Sequence, residues 1–190
     1  LTKDKELLVF PIISGIITII LMITFFVPIF LTAFFGQTNQ YAGIITYALV
    51  FLFYFISYFV VVFFNTALVG AAMVRLKGGD PTIGDGFKIA FSNLLHIILW
   101  SLVGATIGMI LNVLLRRSRN NFFANIAVGL IGASWSIASF LVIPVMVAEN
   151  KGPFSSLRRS AEIIKNKWGA AIAGPAGIGL VFFIATILAI

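Results

Sequence analysis

Cysteine is absent from this sequence, and histidine occurs once, at His96. The first absence excludes disulfides, thiolate catalysis and cysteine-held zinc or iron–sulfur sites. The second excludes a multi-histidine metal site built by this chain alone. Charge is scarce too: charged residues make up 10% of the chain, against about 25% in a soluble domain. Acidic residues number only six, and all fall in short polar segments. No arrangement of them supports general acid–base or nucleophilic catalysis. The expectation is a protein that is not an enzyme and holds no cofactor.

What is present is apolar. Hydrophobic residues make up 61% of the 190, and the mean hydropathy is +1.11. A soluble domain could not cover that much apolar surface, so part of the solvent must be lipid. The net charge of +7 would suggest nucleic acid in a soluble protein. Here it faces anionic lipid headgroups instead, and no nucleic-acid partner is expected.

The charges fall in four patches: Lys3–Glu6, Arg75–Lys88, Arg116–Arg119 and Glu149–Lys167. Between and beyond them lie uncharged stretches. A hydrocarbon core needs about 20 helical residues to cross, and five stretches are long enough: 7–35, 44–74, 89–115, 122–148 and 168–190. They are expected to be helices, because lipid offers an open backbone no hydrogen bonds. Runs such as "VFLFYFISYFVVVFF" lack the alternation of a barrel strand. The sequence therefore reads as an all-α, polytopic membrane protein. Residues 1–190 form one integral membrane domain with about five spans, and a sixth is expected in the full protein. Leu7–Phe35 is too long for a signal-peptide core. Pro175, within "GPAGIG", predicts an irregular fifth span.

Orientation follows lysine and arginine. Placing the N-terminus in the cytoplasm puts Lys3, Lys5, Arg75, Lys77, Lys88, Lys151, Arg158, Arg159, Lys165 and Lys167 inside. Only "RRSR", with Arg116, Arg117 and Arg119, then lies outside. Either that loop is external and basic, or the third and fourth segments form a hairpin that does not fully cross. Full crossing is the expectation, because the total bias supports it. "RLKGGDPTIGDGFK", from Arg75 to Lys88, becomes a cytoplasmic loop holding two spans in orientation.

The second and fourth polar segments share a pattern: Met-Val, polar residues, a glycine shortly before a proline, then a helix-competent stretch. Asp80-Pro81 and Gly152-Pro153 read as helix starts. After Pro153, residues Phe154, Leu157, Ala161, Ile164 and Trp168 recur at helical spacing. This predicts an amphipathic helix in the cytoplasmic interface. Arg158, Arg159, Lys165 and Lys167 would contact lipid headgroups.

"KDKELLVFPIISG", "FFNTALVGAAMVRLKGGDPTIGDGF" and "IPVMVAENKGPFSSLRRSAEIIKNKWG" carry a resemblance across nearly the whole chain. They resemble a prokaryotic family of multi-spanning membrane proteins of unknown function. The Pro…Glu-Asn-x-Gly…Arg-Ser…Trp pattern is also distantly similar to the membrane domain attached to some glycerophosphodiester phosphodiesterases. The resemblance implies an integral, six-span architecture in a prokaryotic cytoplasmic membrane. It implies no catalytic residue, because the phosphodiesterase chemistry belongs to a separate soluble domain.

Polar side chains inside spans are the functional candidates. Tyr47, Tyr54, Tyr58 and Asn65 make one stripe on the second span, read either as a helix–helix seam or as a polar pathway. On the third span, His96, Trp100, Gly104, Gly108 and Asn112 recur every four residues. Gly104 and Gly108 allow another helix to approach closely. His96, about two turns inside this span, can bond across helices, relay protons or ligate a haem. Gly129 and Ala133 offer a second small-residue contact. Asp80 caps a helix, or joins Asp85 in holding a cation or headgroup. Two functions follow. One is a structural or accessory subunit of a membrane assembly, with lipids and other subunits or further copies of itself as partners. The other is a transporter or channel for an uncharged or lipid-like cargo.

Overall fold

The computed structural model of the protein describes residues 5–35 and 42–167. Within them the structure is helical throughout, and strands are absent among the described residues. After a short 3₁₀ turn, Lys5–Leu8, come α1 (Val9–Phe35), α2 (Ala42–Leu76), α3 (Ile83–Ser92), α4 (Leu94–Ser118), α5 (Phe122–Ser139) and α6 (Val142–Glu149). Residues 153–167 form a further helix, α7. Four stretches are long and apolar enough to cross a membrane: Val9–Thr32, Gly43–Leu76, Leu94–Ser118 and Phe122–Glu149. The protein is thus a polytopic helical membrane protein. The segment 168–190, expected as a fifth span, lies outside the described residues.

α2 is the hub, with α1, α3, α4 and α6 all packed against it. Its 35 residues extend about 53 Å at 1.5 Å per residue, well beyond a hydrocarbon core about 30 Å thick. The core is built along its C-terminal part. Val62, Phe63, Phe64, Ala67 and Ala71 are buried with Phe10 of α1, Ala90 of α3, Ile97 and Trp100 of α4, and Val142 and Met146 of α6. Phe63 lies edge-on to Phe64 and to Phe91, with centroids 5.6 and 5.2 Å apart, and is tilted against Phe87. Phe10 meets Phe87 edge-on at 5.5 Å. Such pairs add to simple area burial.

Small residues let these helices close. A Cβ placed on Gly70 would fall 2.6 Å from the Ile89 side chain. One placed on Gly86 would fall 2.5 Å from the Phe10 ring and 2.8 Å from the Ala67 carbonyl oxygen. α3 therefore lies flush on α2 only because both positions lack side chains.

The polar segment between α2 and α3 folds by local rules. α2 ends in a Schellman turn: Gly78, at φ +85°, donates its N–H to Arg75 O, and Gly79 donates to Val74 O. Arg75 also reaches Asp80 at 3.0 Å. Asp80 is not the helix cap expected from sequence. Thr82 caps α3 instead, in a capping box with Asp85, so the start lies two residues later. Asp85 accepts from the Thr82 N–H at 3.0 Å and from its hydroxyl. These bonds, the backbone one foremost, hold the Asp85 carboxyl below its ordinary range, with help from Lys88 and against a small opposing effect of burial.

Two expected boundaries move. Span three was expected at 89–115, but residues up to Ser92 belong to α3 and the long helix begins at Leu94. Asn93 makes the joint, its side-chain amide donating to Ile89 O at 2.9 Å. Span four, expected as one stretch over 122–148, bends at Phe140–Leu141 between α5 and α6. Pro144 lies just beyond this joint and has no N–H with which to continue the ladder.

Candidate functional site

The tyrosine stripe and the small-residue stripe face each other between α2 and α4. A Cβ on Gly104 would lie 2.5 Å from the Tyr58 ring, so the ring occupies the space a side chain would fill. One turn on, Gly108 lies at ordinary contact distance from the Tyr54 ring. The Asn112 side-chain amide then donates to the Tyr54 hydroxyl at 3.3 Å. Asn112 Oδ1 accepts from Arg116 Nε at 2.8 Å. Four residues read from sequence as parts of two separate stripes are thus brought together as two packed pairs, and a polar relay continues to Arg116. Trp100 is 4% exposed and stacks on Trp135 of α5, centroids 5.5 Å apart.

The ends of the tyrosine stripe do not join this seam. Tyr47 is 63% exposed and Asn65 is also exposed. His96 sits in the first turn of α4, not two turns inside a span, because that helix begins at Leu94. Its Nδ1 is buried without a hydrogen-bond partner among the described residues, as is Ser57 Oγ.

Between α1, α2 and α4 a cavity of about 390 Å³ opens beside the seam. Ile29, Val50, Met109 and Val113 give it apolar walls. Thr46, Tyr47, Tyr54, Asn112, Arg116 and Arg117 supply its polar groups. A second hollow of about 370 Å³ continues past Asn112, Leu115, Arg116 and Arg119. Arg116 and Arg117 lie in the last turn of α4, so the cavity runs from the helix end toward its middle. The sequence reading treated these arginines as a topology problem. The signal for their site was the Asn112–Arg116 spacing of one helical turn.

α7 also buries a face that the apolar spacing does not show, beside Leu157 and Ile164 of the apolar set. Ser156 and Ser160 are fully buried and Ile164 nearly so, whereas Phe154 is 67% exposed and Ala161 is exposed. The helix is rotated so that two serines face the protein. The reason lies in the joint between α5 and α6. Ser160 Oγ donates to Ala138 O at 2.7 Å and accepts from Leu141 N–H at 3.1 Å. The bend frees both backbone groups, and Ser160 satisfies both, which matters where water is scarce. Of the four cations expected at lipid headgroups, Arg159 pairs with Glu149 at 3.2 Å and Arg158 with Glu162 at 3.3 Å. Lys165 and Lys167 are exposed. Trp168 lies outside the described residues. Among the described residues no group of three or more His, Cys, Asp or Glu side chains could hold a metal ion.

Residues 44–190, well over half of the chain, match the model of a family of unknown function (DUF6159), and the chain belongs to that family. No curated protein and no solved structure matches it.

Proposed function

We propose that the chain is a non-catalytic structural or accessory component of a membrane assembly. The observation that supports this best is the outward face of α5. Among the described residues α5 packs chiefly on α4. Its Gly129 has nothing within 4 Å, and Ala133, one turn on, is exposed. Leu130 and Ile131 beside them are 64% and 55% exposed. A small-residue pair flanked by large apolar side chains is the surface on which a further transmembrane helix packs closely. The α2–α4 seam serves the same reading, since Tyr54 and Tyr58 are used in packing and do not line a continuous polar path.

In this reading the N-terminus is cytoplasmic, in a prokaryotic inner membrane. Arg75, Lys77 and Lys88 and the lysines and arginines of residues 151–167 then lie inside. The second reading, a transporter or channel for an uncharged or lipid-like cargo, draws on one observation, the cavity beside the seam.

Gentle extraction from the native membrane followed by mass spectrometry tests the proposal. Stoichiometric copurification with a defined set of subunits, lost on Gly129→Leu, is the expected result. Recovery of the chain alone or only with lipid contradicts it and favours the transport reading.

A further inference from the structure

The six acids are Asp4, Glu6, Asp80, Asp85, Glu149 and Glu162. Among the described residues, Glu6 lies before α1, Asp80 and Asp85 at the start of α3, and Glu149 and Glu162 at and after the end of α6. Those places share one end of the bundle, because α2 and α4 run antiparallel. Arg116, Arg117 and Arg119 sit at the other end, and the sequence "GQTNQYAG" leading from α1 into α2 carries no charge. No carboxylate stands between Leu7 and Val74 or between Gly86 and Ala148. The counter-charge for this cluster must therefore come from outside these segments.

The cavity beside the arginines is built to receive it. Arg116 is held in place, because its Nε donates to Asn112 Oδ1 while the Asn112 amide donates to Tyr54 Oη. This uses the Asn112 carbonyl and leaves the Tyr54 hydroxyl its own proton to donate. The polar groups offered to a ligand by Arg116, Arg117 and Tyr54 are then all donors. Among the described residues, the only charged groups lining the cavity are these two guanidinium groups, which favour an anion with several acceptor oxygens and match phosphate geometry. The negative end of the α4 dipole opposes an anion here by only about half a charge, less than the arginines supply.

Depth and shape name the rest of the ligand. The arginines lie in the last turn of α4, where a spanning helix meets headgroups. Asn112 lies about 6 Å further in than Arg116, at 1.5 Å per residue. Val50 and Val113 beside it and Met109 below it make an apolar wall. A volume of about 390 Å³ is within the range of small-molecule sites, about 300–1,000 Å³.

We propose that this crevice binds an anionic phospholipid, its phosphate on Arg116, Arg117 and the Tyr54 hydroxyl and an acyl chain along Val50, Met109 and Val113. The proposal is independent of the accessory role, since a lipid can bind whether or not subunits copurify.

The test is native mass spectrometry of the full chain released from mixed-lipid nanodiscs. Phosphatidylglycerol and phosphatidylcholine of identical chains would be offered in equal amounts. The wild type should retain the anionic lipid with about tenfold preference, and R116Q/R117Q should lose about tenfold or more of that binding. V113W keeps every charge but fills the crevice, and should lose the lipid too. K165Q/K167Q, at the opposite end, should retain it. Circular dichroism and unfolding temperature confirm that each variant is folded. No preference in the wild type, undiminished binding in R116Q/R117Q, or full binding in V113W would overturn the proposal. Displacement by glycerol phosphate at matched concentration would overturn its acyl part, leaving a site for a soluble phosphate.

Discussion

The two ends of this bundle are made of the same helices yet are built differently. At one end, the C-terminal part of α2 is enclosed by α3, the start of α4, and α6. Phe10, Thr66, Ala67, Ala90, Ile97, Val142 and Met146 are all essentially inaccessible there. Charges at this end come with partners of opposite sign, as in Arg75–Asp80 and Arg159–Glu149. At the other end the helices separate around a cavity, and arginines stand where the sequence supplies no acid. The difference teaches that close packing and ligand access are divided along the length of α2. One end fixes how the helices meet, and the other keeps open surface for lipid.

The sharpest contrast pairs two glycines. Gly86→Ala brings a methyl group against the Phe10 ring and the Ala67 carbonyl, the latter being backbone that cannot step aside. The expected loss is about 2 kcal/mol or more, read as a lower unfolding temperature in detergent. Gly129→Ala meets nothing within 4 Å and should be neutral or slightly stabilising, since alanine is the better helix former by about 1 kcal/mol. If both variants behave alike, the packed end is not as tight as the structure draws it.

Ser160→Ala comes next. It leaves Leu141 N–H and Ala138 C=O unpaired at the joint, a loss of about 1–3 kcal/mol. Faster hydrogen exchange at Leu141 would report it directly. Unchanged exchange would show that the joint finds other partners.

Gly104→Ala should cost about 1–2 kcal/mol by pushing on the Tyr58 ring. Combined with Tyr58→Leu it should cost less than the sum of the two single changes. Strict additivity would show that the ring and the glycine do not share one space.

The smallest effect is at the cap of α3. Thr82→Ala removes the capping hydroxyl, a loss at the lower end of about 0.5–2 kcal/mol. The accompanying pH dependence has a definite sign. The Asp85 carboxyl is held below its ordinary value in the folded chain. Its contribution is therefore present above the unfolded carboxyl pKa of about 3.9 and is lost as pH falls through the lower folded value. In Thr82→Ala the folded value moves closer to the unfolded one, so that loss should be smaller and complete at higher pH, as seen by unfolding scans across acidic pH.

The sequence carried the coarse architecture, because twenty-residue uncharged runs have few physical alternatives in lipid. It also carried the tyrosine and glycine stripes as separate features, because both recur at helical spacing, but not that they face each other. It did not carry the break at Asn93. A polar side chain that bonds back to Ile89 O looks, in one dimension, like any residue in a hydrophobic run. Nor did it carry the rotation of α7. Phe154 and Ala161 suggested the apolar face, yet the helix turns its serines inward because the α5–α6 joint needs hydrogen-bonding groups more than apolar area. The arginine cluster was visible as an exception to charge bias. Its crevice was not, since that depends on how far α1, α2 and α4 diverge.

The most direct test of the division is hydrogen exchange of the full chain in nanodiscs of anionic against zwitterionic lipid. The account predicts that anionic lipid slows exchange at the arginine end, over residues 46–54 and 109–117. Residues 62–71 and 86–97 should exchange alike in both. Protection gained at the packed end, or spread evenly along α2, would contradict it.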